Sequence, residues 1–108
     1  MDVTMKTMLR SLAILLSVVL MPITTQAGDA AAGAKKANTC TACHGKNGIS
    51  IAPTYPNLAC QKEKYLVKAI KEYKSGARKD PMMKPMVASL SDSDIENVAA
   101  YFATLNCK

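Results

Sequence analysis

The stretch Cys40-Thr41-Ala42-Cys43-His44 governs how the rest of the chain is interpreted. Two thiols three positions apart near a helix end can both reach the vinyl groups on one edge of a porphyrin, and the next residue places an imidazole under the iron. The spacing C-x-x-C-H is typical of covalent c-type haem attachment. His44 is the only histidine of the chain. The motif therefore predicts one haem c, bound through Cys40 and Cys43 and ligated by His44.

Two cysteines at this spacing also occur in redox pairs, zinc sites and disulfides. A thioredoxin-type redox pair requires a βαβ context, and the sequence contains no convincing strand pattern. A zinc site requires four ligands, and Cys60 and Cys107 are the only other soft candidates. A disulfide between Cys40 and Cys43 closes too short a loop to add much stability. Haem attachment is the favoured interpretation.

The composition also indicates a small domain with a non-protein component. The chain has 108 residues, no tryptophan, one phenylalanine and four tyrosines. This length allows one domain, and a chain so short and so poor in large apolar side chains usually needs a cofactor, a metal or disulfides for stability. A large enzyme with its own substrate domain is excluded.

Residues 1–27 have the pattern of a cleaved secretory signal peptide. Lys6 and Arg10 precede the apolar run 12–21, and small residues lead to a cleavage site after Ala27. The ten-residue run is about half of what spans a bilayer, so no stable membrane anchor is expected after cleavage. The prediction is a periplasmic protein.

Residues 28–108 are expected to form the monohaem domain. They contain twelve Lys/Arg and seven Asp/Glu residues. An exported protein does not normally meet nucleic acid, so the positive charge indicates redox partner proteins with an acidic docking surface. Lys64, Lys68 and Lys71 share one helical face, which is either such a docking face or simply solvated. Arg78 is a candidate partner for a haem propionate, and the residues do not decide either point.

Hydrophobic periodicity predicts an all-α domain of three main helices wrapped around the haem. The expected helices cover residues 30–42, residues 62–74 and the segment after Ser91. Ser75-Gly76 is expected to end the second helix, and Ser91 and Asp94 resemble a capping box at the start of the third. Residues 45–59 and 77–90 are expected to be long loops, the second one extended. Loops of this length are usually functional.

A haem iron that transfers electrons needs a second axial ligand. No second histidine is available, and the three methionines after residue 27 all lie in the second loop, at Met82, Met83 and Met86, next to Pro81 and Pro85. Methionine more often fills a core. The residues alone do not choose among the three.

The chain resembles the class I c-type cytochromes over nearly all of residues 28–108, most of all the small soluble bacterial monohaem carriers and the single domains of the dihaem periplasmic ones. The resemblance rests on four stretches: GDAAAGAKKA (28–37), CTACHGKNG (40–48), PNLACQKEKYL (56–66) and DPMMKPMVASLSDSDIENVAAYFATL (80–105). It implies that Met83, seven positions before Leu90, is the distal ligand. It also implies that the Pro56 carbonyl accepts a hydrogen bond from His44. Gly33 matches the small residue where the first helix crosses the last, against Tyr101 or Phe102, although an alanine-rich helix can also simply tolerate glycine.

Cys60 departs from the family pattern, because relatives commonly have glycine there. In an oxidising compartment Cys60 and Cys107 are expected to form a disulfide, the alternative being two unrelated thiols.

The resulting hypothesis is a soluble periplasmic electron carrier with one His/Met-ligated haem c, which works between larger redox proteins and is not an enzyme. The alternatives are a haem enzyme or gas-binding protein with an open sixth position, and a haem subunit of a respiratory complex.

Overall fold

The computed structural model describes Pro22 and residues 27–108. The rest of the predicted signal peptide lies outside the described residues. Every regular element of the described part is a helix, which confirms the all-α class. The helices are α1 (Ala30–Lys36), α2 (Asn38–His44), α3 (Glu63–Ser75), α4 (Met83–Val87) and α5 (Asp92–Thr104). None of these helices has the length and apolar character needed to cross a bilayer.

The helix predicted over residues 30–42 is two helices, α1 and α2. The break falls at Ala37, where ψ is −7° and the side chain is fully buried in the core. The prediction of one helix was wrong because residues that favour a helix on both sides of Ala37 give no local signal for a bend. Ala37 packs against side chains of α3 and α5 at the point where α1 ends and α2 begins, so the cysteine-bearing helix starts from a residue anchored in the core.

The segment 77–90, predicted as an extended loop, contains the short helix α4. Pro85 is the third residue of α4. In the first turn of a helix the N–H groups have no intrahelical acceptor, so a proline there removes no hydrogen bond. The sequence-based prediction treated Pro85 as a helix breaker and was wrong for that reason.

Helix α3 ends, and helix α5 begins, where the sequence predicts. Gly76 ends α3 in the left-handed conformation at φ 85°, and its N–H donates to the Glu72 carbonyl at 3.1 Å. At the start of α5, Ser91 and Asp94 form the reciprocal capping box. The Ser91 N–H donates to the Asp94 carboxylate at 3.0 Å and holds the pKa of Asp94 below its usual range.

The core lies where α5 packs between α1 and α3. Ile95, Val98 and Phe102 are its largest fully buried side chains. The crossing of α1 over α5 depends on Gly33, because a Cβ there would collide with the carbonyl oxygen of Asn97. Gly33 therefore lies at the expected helix crossing, but it touches Asn97 and Val98, about one turn before the expected Tyr101 or Phe102.

The expected disulfide between Cys60 and Cys107 is present, with a Cα–Cα distance of 5.6 Å. Cys60 has φ 51°, in the left-handed region that favours glycine. Its N–H donates to the Phe102 carbonyl at 3.2 Å. The bridge thus fixes the end of the loop before α3 to the end of α5.

Removing this bridge should lower the free energy of unfolding by about 4 kcal/mol, because it closes a loop of 47 residues in the unfolded chain. Urea unfolding of the haem-loaded protein and of its Cys60→Ser/Cys107→Ser variant measures this difference. Alkylating reagents should also add nothing to the unfolded, unreduced protein, and two added labels would show that no bridge forms.

A matched variant separates the bridge from the backbone conformation of Cys60. Cys60→Gly/Cys107→Ser also lacks the disulfide, but glycine adopts the left-handed conformation without steric cost. Its free energy of unfolding should be about 1 kcal/mol higher than that of the double serine variant. Equal stability of the two variants would contradict the conformational argument.

Candidate functional site

A cavity of about 700 Å³ lies between α2 and α4, with α3 and α5 behind it. Its volume is within the range of sites that bind cofactors. The cavity collects all of the predicted haem ligands and attachment residues, and Arg78. These lining residues are Cys40, Cys43, His44, Met82, Met83 and Met86. The apolar back wall comes from side chains such as Leu66, Val98 and Phe102.

His44 is the last residue of α2 and is only 6% exposed. Within the described part of the chain it is the one buried polar or charged residue. Its Nδ1 lies 2.8 Å from the Pro56 carbonyl oxygen. Because a carbonyl only accepts hydrogen bonds, Nδ1 carries the proton and Nε2 keeps its lone pair, which is the form that ligates a metal.

The Pro56 carbonyl is held by a hydrogen-bonded loop. The Gly48 carbonyl accepts the N–H groups of Leu58 and Ala59 at 2.8 and 2.9 Å. The Asn57 side chain accepts the Ser50 N–H at 2.8 Å. Gly48 itself is at φ 71°, a conformation that glycine adopts without strain. These bonds close the segment on both sides of Pro56, so the acceptor for His44 has a fixed position.

Cys40 and Cys43 are both free thiols, although Cys60 and Cys107 are bonded to each other. The bridge takes up the two thiols that a four-cysteine zinc site would need. Cys40 is partly buried at the cavity, and burial raises the pKa of its thiol. Cys43 is exposed and lines the same cavity. The two sulfur-bearing side chains therefore line the same cavity, as attachment to one porphyrin requires.

The three methionines differ in exposure. Met82 is 57% exposed and Met86 is 47% exposed, whereas Met83 is only partly exposed. The hydroxyl group of Tyr55 lies 3.9 Å from the sulfur of Met82, so Met82 contacts the loop that carries Pro56. Met83 is the one of the three with the least solvent contact.

Sequence analysis missed Asp80. Its Oδ1 accepts the N–H groups of both Met82 and Met83, each at 2.8 Å. These hydrogen bonds lower the pKa of Asp80, with the one from Met83 contributing most. A signal was present in the sequence, because an aspartate directly before a proline is typical of the start of a turn.

The basic residues are only partly where the sequence suggested. Lys68 pairs with Glu72 at 2.8 Å, and Lys71 lies 3.9 Å from a carboxylate oxygen of Asp92. Two of the three lysines on the predicted face are therefore neutralised by neighbours. Arg78 lines the cavity, and its guanidinium lies 4.8 Å from the centre of the Tyr73 ring.

The donor atoms fit a c-type haem. One wall offers an imidazole nitrogen with a free lone pair, another offers thioether sulfurs, and two free thiols lie beside the imidazole. No Cα atom of α2 lies within 8 Å of one in α4, and both helices line the cavity between them. A flat macrocycle with ligands on both faces matches this arrangement.

The cytochrome c family model matches residues 30–106. The chain belongs to the cytochrome c family. It is 51% identical over 81 residues to cytochrome c-554(548) of Halomonas halodenitrificans, covering 72% of this chain and 98% of that protein. It is 46% identical over 92 residues to cytochrome c4 of Pseudomonas aeruginosa, covering 85% of this chain and 46% of the relative.

A crystal structure of reduced recombinant cytochrome c4 from Pseudomonas stutzeri has the same fold. It superimposes with a TM-score of 0.71 at 44% sequence identity, over 74% of this chain and 47% of the other. The chain thus spans nearly all of the Halomonas cytochrome and about half the length of the cytochromes c4. It is an electron-carrier cytochrome rather than an enzyme, and it carries one c-type haem through its C-x-x-C-H motif.

Covalent attachment predicts that acid-acetone treatment of the denatured protein will leave the colour with the polypeptide. The mass should be that of the polypeptide plus one haem, because each thiol forms a thioether. Cys40→Ala and Cys43→Ala should each weaken retention, whereas the Cys60→Ser/Cys107→Ser variant should retain haem as the wild type does. Extraction of the colour from the wild type would contradict the attachment.

Proposed function

We propose that this cytochrome is an exported carrier of single electrons between larger redox proteins, with His44 and Met83 as the axial ligands of its haem. In this proposal Cys40 and Cys43 form the thioethers. The observation that supports this proposal most is that His44, on α2, and the methionines of the segment around α4 line the same cavity, although the Cα atoms of α2 and α4 are more than 8 Å apart. When bound, the haem supplies the one-electron Fe(III)/Fe(II) couple.

The choice of Met83 has two supports. Met83 is less exposed than Met82 and Met86, and it stands seven positions before Leu90, the ligand position in the class I cytochromes that the chain resembles. A thioether ligand favours Fe(II), so it raises the reduction potential relative to two imidazoles. With a side chain at each axial position, no substrate reaches the iron, and this is the property of a carrier.

The proposed partner is a protein with an acidic surface. The net charge of residues 28–108 is positive, and positive charge speeds the encounter with an acidic partner. Because Lys68 and Lys71 are paired, the face with Lys64 is a weaker candidate than the rim of the cavity. Lys79 and Lys84 are neighbours in sequence of the cavity-lining residues Asp80 and Met83, and they form no ion pair within the described residues.

We also propose that residues 1–27 are removed on export to the periplasm. Ala27 is exposed, whereas Gly28 packs on α5 so closely that a Cβ would collide with the Glu96 carbonyl. The Gly28 nitrogen donates to the Glu63 carboxylate at 3.3 Å. Cleavage after Ala27 turns this nitrogen into an ammonium group, so the hydrogen bond becomes an ion pair at the start of α3.

Met83→Ala should remove the weak far-red absorption of a thioether bound to Fe(III), lower the reduction potential and let the reduced iron bind CO. The reason is that the sixth position loses its ligand. Visible spectra with and without CO, and a redox titration, measure these effects on the purified holoprotein.

Met82→Ala and Met86→Ala are the matched controls, and each should keep the band and resist CO. Loss of the far-red band in Met82→Ala alone would show that Met82, not Met83, is the ligand. A wild-type protein that binds CO readily would favour the alternative of an open sixth position.

The N-terminus of the exported protein should be Gly28, as measured by the intact mass. Glu63→Gln should then lower the free energy of unfolding by about 0.2–1 kcal/mol, the usual range for a partly exposed ion pair. Glu96→Gln, at an exposed position of α5, should have a smaller effect. An N-terminus elsewhere would contradict the cleavage, and no difference between the two variants would contradict the ion pair.

A further inference from the structure

Asp80 binds the backbone of the segment that carries the methionines. Its Oδ1 accepts the Met82 and Met83 N–H groups at 2.8 Å, and its main-chain carbonyl accepts the Lys84 N–H at 3.2 Å. Pro81 has no N–H group. One residue therefore accepts a hydrogen bond from every backbone donor between residues 81 and 84.

The segment on both sides of Asp80 is fixed to α3. Before it, the Arg78 N–H donates to the Glu72 carbonyl at 3.0 Å. After α4, the Lys74 ammonium donates to the Leu90 carbonyl. The ends of the segment are thus anchored to one rigid helix, and Asp80 sets the backbone orientation between them.

Met82 and Met83 are adjacent in sequence, so either could supply the sulfur that ligates the iron. Met82 and Met83 both line the cavity, but successive side chains of a helical turn point about 100° apart, so one backbone orientation directs only one of the two sulfurs at a given point inside it. With both N–H groups on Asp80, Met82 becomes the N-cap residue of α4 and stays 57% exposed, while Met83 is the first helical residue and is partly covered. A rotation of the turn would exchange the two.

We propose that Asp80 is a positioning residue that selects Met83, rather than Met82, as the distal ligand of the haem iron. The inference rests on the proposed His/Met ligation. The selection comes from the side-chain oxygen as a hydrogen-bond acceptor, so a residue that keeps a similar oxygen in place keeps the selection.

Asp29 provides a control for general helix capping. Its Oδ1 accepts the N–H groups of Ala31 and Ala32 at 2.9 and 3.1 Å at the start of α1. It makes the same two bonds as Asp80, but it is not among the residues that line the cavity. Loss of this cap should lower stability without changing the iron ligand.

The test compares Asp80→Ala, Asp80→Asn and Asp29→Ala as purified holoproteins. Asp80→Ala should weaken the far-red band and bind added imidazole at the ferric iron about tenfold more tightly, since losing a cap shifts a local equilibrium by roughly an order of magnitude. Asp80→Asn and Asp29→Ala should stay within about threefold of the wild type. Proton spectra of the reduced Asp80→Ala protein should show two methionine-ligated species. The double variant Asp80→Ala/Met82→Leu should show only one.

Unchanged imidazole affinity in Asp80→Ala, or the same increase in Asp29→Ala, would overturn the proposal. An Asp80→Asn variant that behaves like Asp80→Ala would also overturn it, because charge rather than the acceptor would then be responsible. If Asp80→Ala does not accumulate, Asp80→Gly replaces it, since glycine caps a helix with little loss of stability but has no side-chain acceptor. Failure of the underlying His/Met ligation is distinguishable, because it appears in the wild type as a missing far-red band.

Discussion

The close crossing of α1 over α5 at Gly33 is the contact on which the rest of the fold depends. Because glycine lets the two backbones meet, α5 presents Val98 and Phe102 both to the core and to the cavity. Helix α2 follows α1 after the bend at Ala37, so the same crossing determines where the C-x-x-C-H turn lies. A side chain at position 33 would separate the helices and displace the cysteine-bearing turn from the back wall.

The two walls of the cavity are held by different kinds of acceptor. His44 is oriented by a main-chain carbonyl, that of Pro56, inside a loop closed by backbone hydrogen bonds. The methionine segment is oriented by the side chain of Asp80. A main-chain carbonyl remains an acceptor after most substitutions of its residue, whereas a single substitution of Asp80 can remove the carboxylate. The histidine side is therefore robust to sequence change, and the methionine side is the part that sequence change can tune.

Features that depend on neighbouring residues could be predicted from the sequence, whereas several features set by tertiary packing could not. The haem motif, the capping box at Ser91 and the glycine stop at Gly76 each depend on residues close in sequence. The bend at Ala37 depends on burial of a methyl group by distant helices, so no local pattern predicts it. Similarly, pairing of Lys71 with Asp92 joins two helices, and it weakens a docking face that looked continuous along one helix.

Cys60 connects the stability of the fold to the histidine wall. It follows the loop that presents Pro56 to His44, and it is bonded to Cys107 beyond the end of α5. The left-handed φ at Cys60 has a steric cost that glycine would avoid. The disulfide lowers the conformational entropy of the unfolded chain. For a loop of this length the resulting stabilisation exceeds the steric cost by a few kcal/mol. The same covalent bond that stabilises the fold thereby holds one end of the loop that sets the tautomer of His44.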